Sequence, residues 1–236
     1  INASEEFKEM FFVVIQLGAI MAVVVLYFGK LMPFSFKGGF KIKNDIIVLW
    51  CKIVVACIPA AVIGILYDDI IDKMFYNYQT VAVTLILYGI AFIVIERKFK
   101  GRQAKIDRLQ DMTFLTAFGI GLFQLLSLIP GTSRSGATII GAMLIGTSRS
   151  IAAEFTFFLG IPVMFGASLL KIAGFGLAFT GTEVIILVVG MITAFVVSIL
   201  AIKFLVGYIK KHDFQVFGYY RIALGLIVIG YFLILG

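Results

Sequence analysis

Side chains that bind metals or form disulfides are scarce in this sequence, which has one histidine and two cysteines in 236 residues. The histidine, His212, sits in Lys210-Lys211-His212-Asp213, the pattern of a solvated loop. Cys51 and Cys57 fall within one apolar stretch, where packing is the expected role. No cluster of histidine, cysteine and carboxylate has metal-site spacing, so the pattern assigns no metal ligand. Charge is scarce too: 14% of residues are charged against 61% hydrophobic, and mean hydropathy is +1.10. That balance excludes a soluble globular domain and indicates a polytopic membrane protein. In such a protein the net charge of +7 carries orientation rather than nucleic-acid binding. Nothing resembles a cleavable signal peptide. The first residue, Ile1, is not methionine, and the natural N-terminus is expected upstream of it.

What the chain does have is a series of apolar runs. Membrane spans are expected over about 10–28, 46–67, 80–95, 155–172, 184–206 and 217–235, in one integral membrane domain covering 1–236. Lysine and arginine gather between them. Lys30, Lys37, Lys41 and Lys43 form one group; Arg97, Lys98, Lys100, Arg102, Lys105 and Arg108 form the most basic; Lys203, Lys210 and Lys211 form a third. By the positive-inside rule these loops face the cytoplasm. The acidic connection at Asp68, Asp69 and Asp72 and the weakly charged 173–183 face out, as does the C-terminus at Gly236. Every span alternates correctly if the segment 113–148 enters and leaves on the cytoplasmic side.

That segment carries the chemistry. Between Thr113 and Ser148 the only charged residue is Arg134, within Pro130-Gly131-Thr132-Ser133-Arg134-Ser135-Gly136-Ala137-Thr138. A charge at bilayer depth costs roughly 2.5–3.5 kcal/mol on insertion scales, which makes Arg134 a functional-site candidate with an anion as partner. Pro130 and Gly131 end the preceding helix. Gly131 and Gly136 let backbone N–H groups converge as in an anion-binding nest, and the helix resuming near Gly136 turns its positive end towards the loop. Every polar group here donates and none is acidic, so a phosphate-like group fits best. Arg134 is assigned as the clamp, with Ser133 and Ser135 donating to phosphate oxygens. Gly131, Thr132 and Gly136 form the cradle, and Thr138 lines the returning helix. Ser133 is also the one candidate nucleophile, ranked below phosphate binding because no base stands beside it. Gln124, two turns before the break, is a candidate to face the pocket, with packing as the competing role. Glu154 reads as a helix-start residue. As helices, 113–129 and 136–148 reach only about 25 and 20 Å, short of the roughly 30 Å hydrocarbon core. Two half-helices meeting at a re-entrant tip are therefore expected, because irregular backbone at that depth must line a cavity or be buried in protein.

An internal repeat is also visible. Glu6-Phe7 and Gly18-Ala19 match Glu154-Phe155 and Gly166-Ala167 at one shared offset, and Tyr88-x-Ile90-Ala91 matches Tyr220-x-Ile222-Ala223 at a slightly smaller one. With halves at 1–96 and 97–236, each holding three spans, the copies must lie in opposite orientations, an inverted-topology repeat with its site near the midplane. The counterpart of 113–148 would then precede Ile1. It would bring the carboxylates that the visible motif lacks.

The nine-residue stretch from Pro130 to Thr138 resembles the signature of the bacterial undecaprenyl-pyrophosphate phosphatases, the bacitracin-resistance family. Phe12-Val13-Val14-Ile15-Gln16-Leu17-Gly18-Ala19-Ile20, Asp111-Met112-Thr113 and Glu154-Phe155 extend the similarity over nearly the whole chain. The resemblance implies hydrolysis of undecaprenyl pyrophosphate to the monophosphate lipid carrier used in cell-wall synthesis. It places that activity in the bacterial cytoplasmic membrane, with the site opening to the outside. It also implies dependence on a divalent cation, Mg2+ or Ca2+, and competition with bacitracin for the same lipid. Monomer and homodimer both stay open. The family's earlier motif, two glutamates followed by P-x-S-S-T-G-H, does not occur in this sequence. Two other functions share the same features. A transporter or flippase of an anionic polyprenyl lipid would suit the inverted repeat equally. An anion channel for soluble substrates would need a polar pore along several spans, and only one span-like segment is polar.

Overall fold

The computed structural model describes residues 4–35, 41–176 and 179–235. Of the residues that orient the chain, Lys37, Gly236 and the side chain of Asp68 lie outside the described residues. The protein is all-α and polytopic. Among the described residues, six stretches are long and apolar enough to cross a membrane: Glu5–Leu26, Asn44–Tyr67, Tyr78–Phe99, Arg149–Phe175, Gly181–Ile209 and Gln215–Ile234. Much of their apolar surface is exposed, as a lipid-facing surface should be, and it is most complete on the fifth, where Ile185 and Leu200 stand outward.

The chain divides into two compact units, each drawn from both halves of the sequence. The first contains residues 1–50 and 157–207. Helix α1 (Glu5–Val14) opens on Ser4, whose hydroxyl accepts the Phe7 N–H at 3.1 Å. After one irregular residue, Ile15, it continues as α2 (Gln16–Leu26) and the single turn α3 (Phe28–Leu31). Phe7, Met10 and Val14 are buried against Ile172, Phe175, Ile186 and Met191 from the later part of the unit. A short ribbon pairs β1 (Phe34–Ser35) with β2 (Lys41–Ile42), antiparallel, where the sequence suggested only a basic loop.

The second unit, residues 51–156 and 208–236, contains the Pro130–Thr138 motif. It receives most of α4 (Asn44–Phe75), which runs two turns beyond the expected end at residue 67. The acidic connection is thus helical, because nothing between Tyr67 and Phe75 breaks a helix. Helix α5 (Tyr78–Phe99) starts on the Asn77 cap, and α10 (Gln215–Leu235) packs along it. A Cβ built on Gly89 would lie 2.7 Å from the Gly218 carbonyl oxygen, and one on Gly218 equally close to that of Gly89. Backbones touch there, as small residues permit between helices in lipid. These two helices carry the matching Tyr-x-Ile-Ala patterns.

Between them in sequence lie two short helices. Helix α6 (Phe114–Leu125) begins at Thr113, whose hydroxyl accepts the Thr116 N–H, and ends in the 3-10 turn Leu126–Leu128. Helix α7 (Arg134–Ile145) then returns. It starts two residues before the expected Gly136, because the Ser133 hydroxyl caps it by accepting the Gly136 N–H at 3.2 Å. At about 18 Å each, α6 and α7 are too short for a hydrocarbon core of roughly 30 Å. Helix α8 (Arg149–Phe175) follows, and α9 (Gly181–Ile209) leads back to α10.

Candidate functional site at the 129–138 loop

The loop between α6 and α7 is held by its own carbonyls. The Thr84 hydroxyl of α5 donates to the Pro130 carbonyl at 2.9 Å. The Arg221 guanidinium of α10 donates through Nη2 to the next carbonyl, that of Gly131, at 2.8 Å. Gly131 itself has φ +82°, and a Cβ there would run into Thr84 Oγ1 and the Val81 backbone. Only glycine meets both demands. A turn closes when the Thr132 N–H donates to the Ile129 carbonyl at 3.1 Å, and Thr132 is then buried beside Tyr88.

The structure brings Ser133, Arg134, Ser135 and Gly136 together at the N-terminus of α7. The two serine hydroxyls lie 3.1 Å apart. The backbone N–H groups of Arg134 and Ser135 have no acceptor among the described residues, which leaves two donors and the positive helix end open to an anion. Arg134 reaches into a partly buried position near Cys57, and its Nη1 is buried with no hydrogen-bond partner among the described residues. No carboxylate there forms an ion pair with it. A cation even partly withdrawn from water without a counter-ion is costly, and an anionic ligand would lower that cost.

The remaining candidates sit differently. The Thr138 hydroxyl is fully buried, bonds back to the Arg134 and Ser135 carbonyls, and meets the Thr156 hydroxyl at 2.9 Å. It ties α7 to α8. Gln124 is 1% exposed, and neither atom of its side-chain amide has a partner among the described residues. Ser133 is committed as a cap, which suits holding the helix end better than attacking phosphorus. Two residues absent from the sequence-based set belong here: Thr84 and Arg221. The signal for Arg221 was present as a charge inside an apolar span, next to Tyr220. Its guanidinium also lies 5.9 Å above the Tyr88 ring.

A divalent cation does not fit this loop. Its polar side chains are hydroxyls and one guanidinium with no carboxylate among them, and among the described residues no group of three or more His, Cys, Asp or Glu could hold a metal.

Residues 1–227 match the family model described as bacitracin resistance protein BacA. The chain belongs to this family. Curated relatives cover it almost end to end. It is 61% identical to undecaprenyl-diphosphatase 1 of Clostridium acetobutylicum, over 99% of this chain and 86% of that protein. It is 63% identical to the undecaprenyl-diphosphatase of Lachnoclostridium phytofermentans, over 99% and 85%. The Enterococcus faecalis undecaprenyl-diphosphatase is 60% identical, over 99% and 86%.

Proposed function

We propose that this protein is a membrane phosphatase that hydrolyses undecaprenyl pyrophosphate to undecaprenyl phosphate and inorganic phosphate. The observation that supports the reading is Arg134, a partly buried cation at the start of α7 whose Nη1 has no hydrogen-bond partner among the described residues, set among hydroxyl and N–H donors. The full-length similarity to undecaprenyl-diphosphatases supplies the lipid.

The chemistry breaks the P–O bond between the bridging oxygen and the terminal phosphorus. A water oxygen becomes bonded to that phosphorus, and the bridging oxygen leaves with the lipid monophosphate. Arg134 offers a planar fork to the non-bridging oxygens, where charge accumulates in the transition state. The free N–H groups of Arg134 and Ser135 and the Ser133–Ser135 hydroxyl pair complete the cradle. Arg221 and Thr84 keep the cradle in place without touching the phosphate. The α6–loop–α7 hairpin works as a re-entrant element with its tip inside the membrane. The basic loops face the cytoplasm, the site opens to the opposite side, and bacitracin competes for the same lipid.

The test is phosphate release from undecaprenyl pyrophosphate by purified protein in detergent, with no ion gradient. Release at a rate that falls about a hundredfold or more in Arg134→Lys supports the reading. Lipid movement across a bilayer without phosphate release would replace it with a transporter.

A further inference from the structure

At the other end of α7 the fold builds a second polar cavity. It has a volume of about 790 Å3 and is lined by Arg102, Lys105, Arg149 and Lys210, with Asp107 as its one carboxylate. The cavity lies about 18 Å from Arg134 along the helix, so it is not part of the loop site.

Its walls are fixed. The N–H groups of Lys105 and Ile106 both donate to the Gly146 carbonyl, at 2.9 and 3.1 Å, and the Ser148 N–H donates to the Ile106 carbonyl at 2.9 Å. The segment after α5 is thereby clamped onto the turn between α7 and α8. Of the four cations only Arg149 is neutralised: its Nε donates to both Glu96 oxygens at 2.9 Å. Arg102, Lys105 and Lys210 have no ion pair among the described residues, although Arg102 lies 5.7 Å above the Phe99 ring.

Two further donors face the same space. Thr147 is 5% exposed, lines the cavity, and its Oγ1 has no hydrogen-bond partner among the described residues. Helix α8 opens there behind the Ser148 cap, leaving the Arg149 and Ser150 N–H groups without acceptors among the described residues. The opposing end of α7 is muted, since the Ala142 carbonyl accepts from Gly146 and Thr147 and the Met143 carbonyl from Gly146. Three unpaired cations, a buried hydroxyl and a helix N-terminus form a donor set for a tetrahedral anion.

We propose that this cavity is a second, non-catalytic binding site for a phosphate group, made by Lys105, Lys210, Arg102, Thr147 and the start of α8. A phosphodiester headgroup of an anionic phospholipid and free inorganic phosphate share that chemistry. Basic pockets between membrane helices commonly take such headgroups.

The sources separate in one experiment on the intact protein. Lipid retention is measured by native mass spectrometry from nanodiscs of phosphatidylcholine with and without phosphatidylglycerol. Inorganic phosphate binding is measured by calorimetry. Both are repeated on the double variant Lys105→Gln/Lys210→Gln and on Thr147→Val. The wild type should retain phosphatidylglycerol, the double variant should hold it about twentyfold more weakly, and hydrolysis in neutral detergent should not change. Loss of affinity only for phosphatidylglycerol identifies a headgroup; loss for inorganic phosphate identifies a free anion. Either result supports the site. Equal binding of both probes by wild type and Thr147→Val, the isosteric change, together with equal binding by a folded double variant, overturns it. If the double variant does not fold, Thr147→Val alone decides.

Discussion

Arg221 Nη2 lies 2.8 Å from the carbonyl oxygen of Gly131, so a side chain of the last helix holds the backbone of a loop some ninety positions earlier in the chain. The neighbouring carbonyl, that of Pro130, is held from α5 by Thr84. Arg221 is a positioning residue on this geometry. Arg221→Met should leave the Gly131 carbonyl unpaired at a cost of about 1–3 kcal/mol and lower kcat ten- to a hundredfold. Arg221→Lys should recover part of the rate. Steady-state phosphate release compared with thermal unfolding checks this, because a purely structural role would move the melting temperature without the partial rescue.

Arg134→Lys keeps the charge and loses the two-pronged donor geometry. Turnover should drop by about two to three orders of magnitude in a protein that folds normally. Near-normal turnover by a folded Lys variant would remove Arg134 from the phosphate clamp.

Gly131→Ala combines a positive φ with a Cβ placed against Thr84 and Val81. Backbone strain of this kind costs about 1–3 kcal/mol, and the loop can relieve it only by moving. Both the melting temperature and phosphate release should fall. A stable, fully active Gly131→Ala protein would mean that the loop geometry is not required.

Glu96 is fully buried, accepts from Arg149 at the start of α8, and accepts the Phe214 N–H at 3.0 Å just before α10. One carboxylate thus joins three helices. Glu96→Ala strands a partly buried arginine and an N–H. With about a third of the Arg149 side chain exposed, the loss should be near 2–3 kcal/mol rather than the full cost of breaking a buried pair. Chemical or thermal unfolding in detergent measures it.

Cysteines introduced as Lys41→Cys, Asp69→Cys and Arg102→Cys, in a background lacking Cys51 and Cys57, should report orientation. Only position 69 should react with an impermeant thiol reagent applied from outside. Outside labelling at 102 would reverse the assignment.

The spans were legible because apolar length is a direct demand of the bilayer. Each expected run contains the core of an observed helix, with ends differing by a few residues. The motif was legible because an arginine among glycines and hydroxyls in an apolar run has few uses. What the sequence concealed is long-range. Nothing near Thr84 or Arg221 says that both reach one loop, since that depends on α5 and α10 packing together. Thr138 shows the opposite limit: a hydroxyl in the motif looks like a donor to substrate, but its helix-register position turns it to Thr156. The ribbon of Phe34–Ser35 and Lys41–Ile42 is too short to leave a periodic signal.

The contact between Gly89 and Gly218 has a mechanical meaning for the loop. Two helices whose backbones touch cannot slide without opening a gap, and each of them grips one of two consecutive carbonyls. The helix pair therefore acts as a caliper that sets the loop's width. A methyl group added at residue 89, which does not touch the phosphate cradle, would widen the jaws and detune catalysis from a distance.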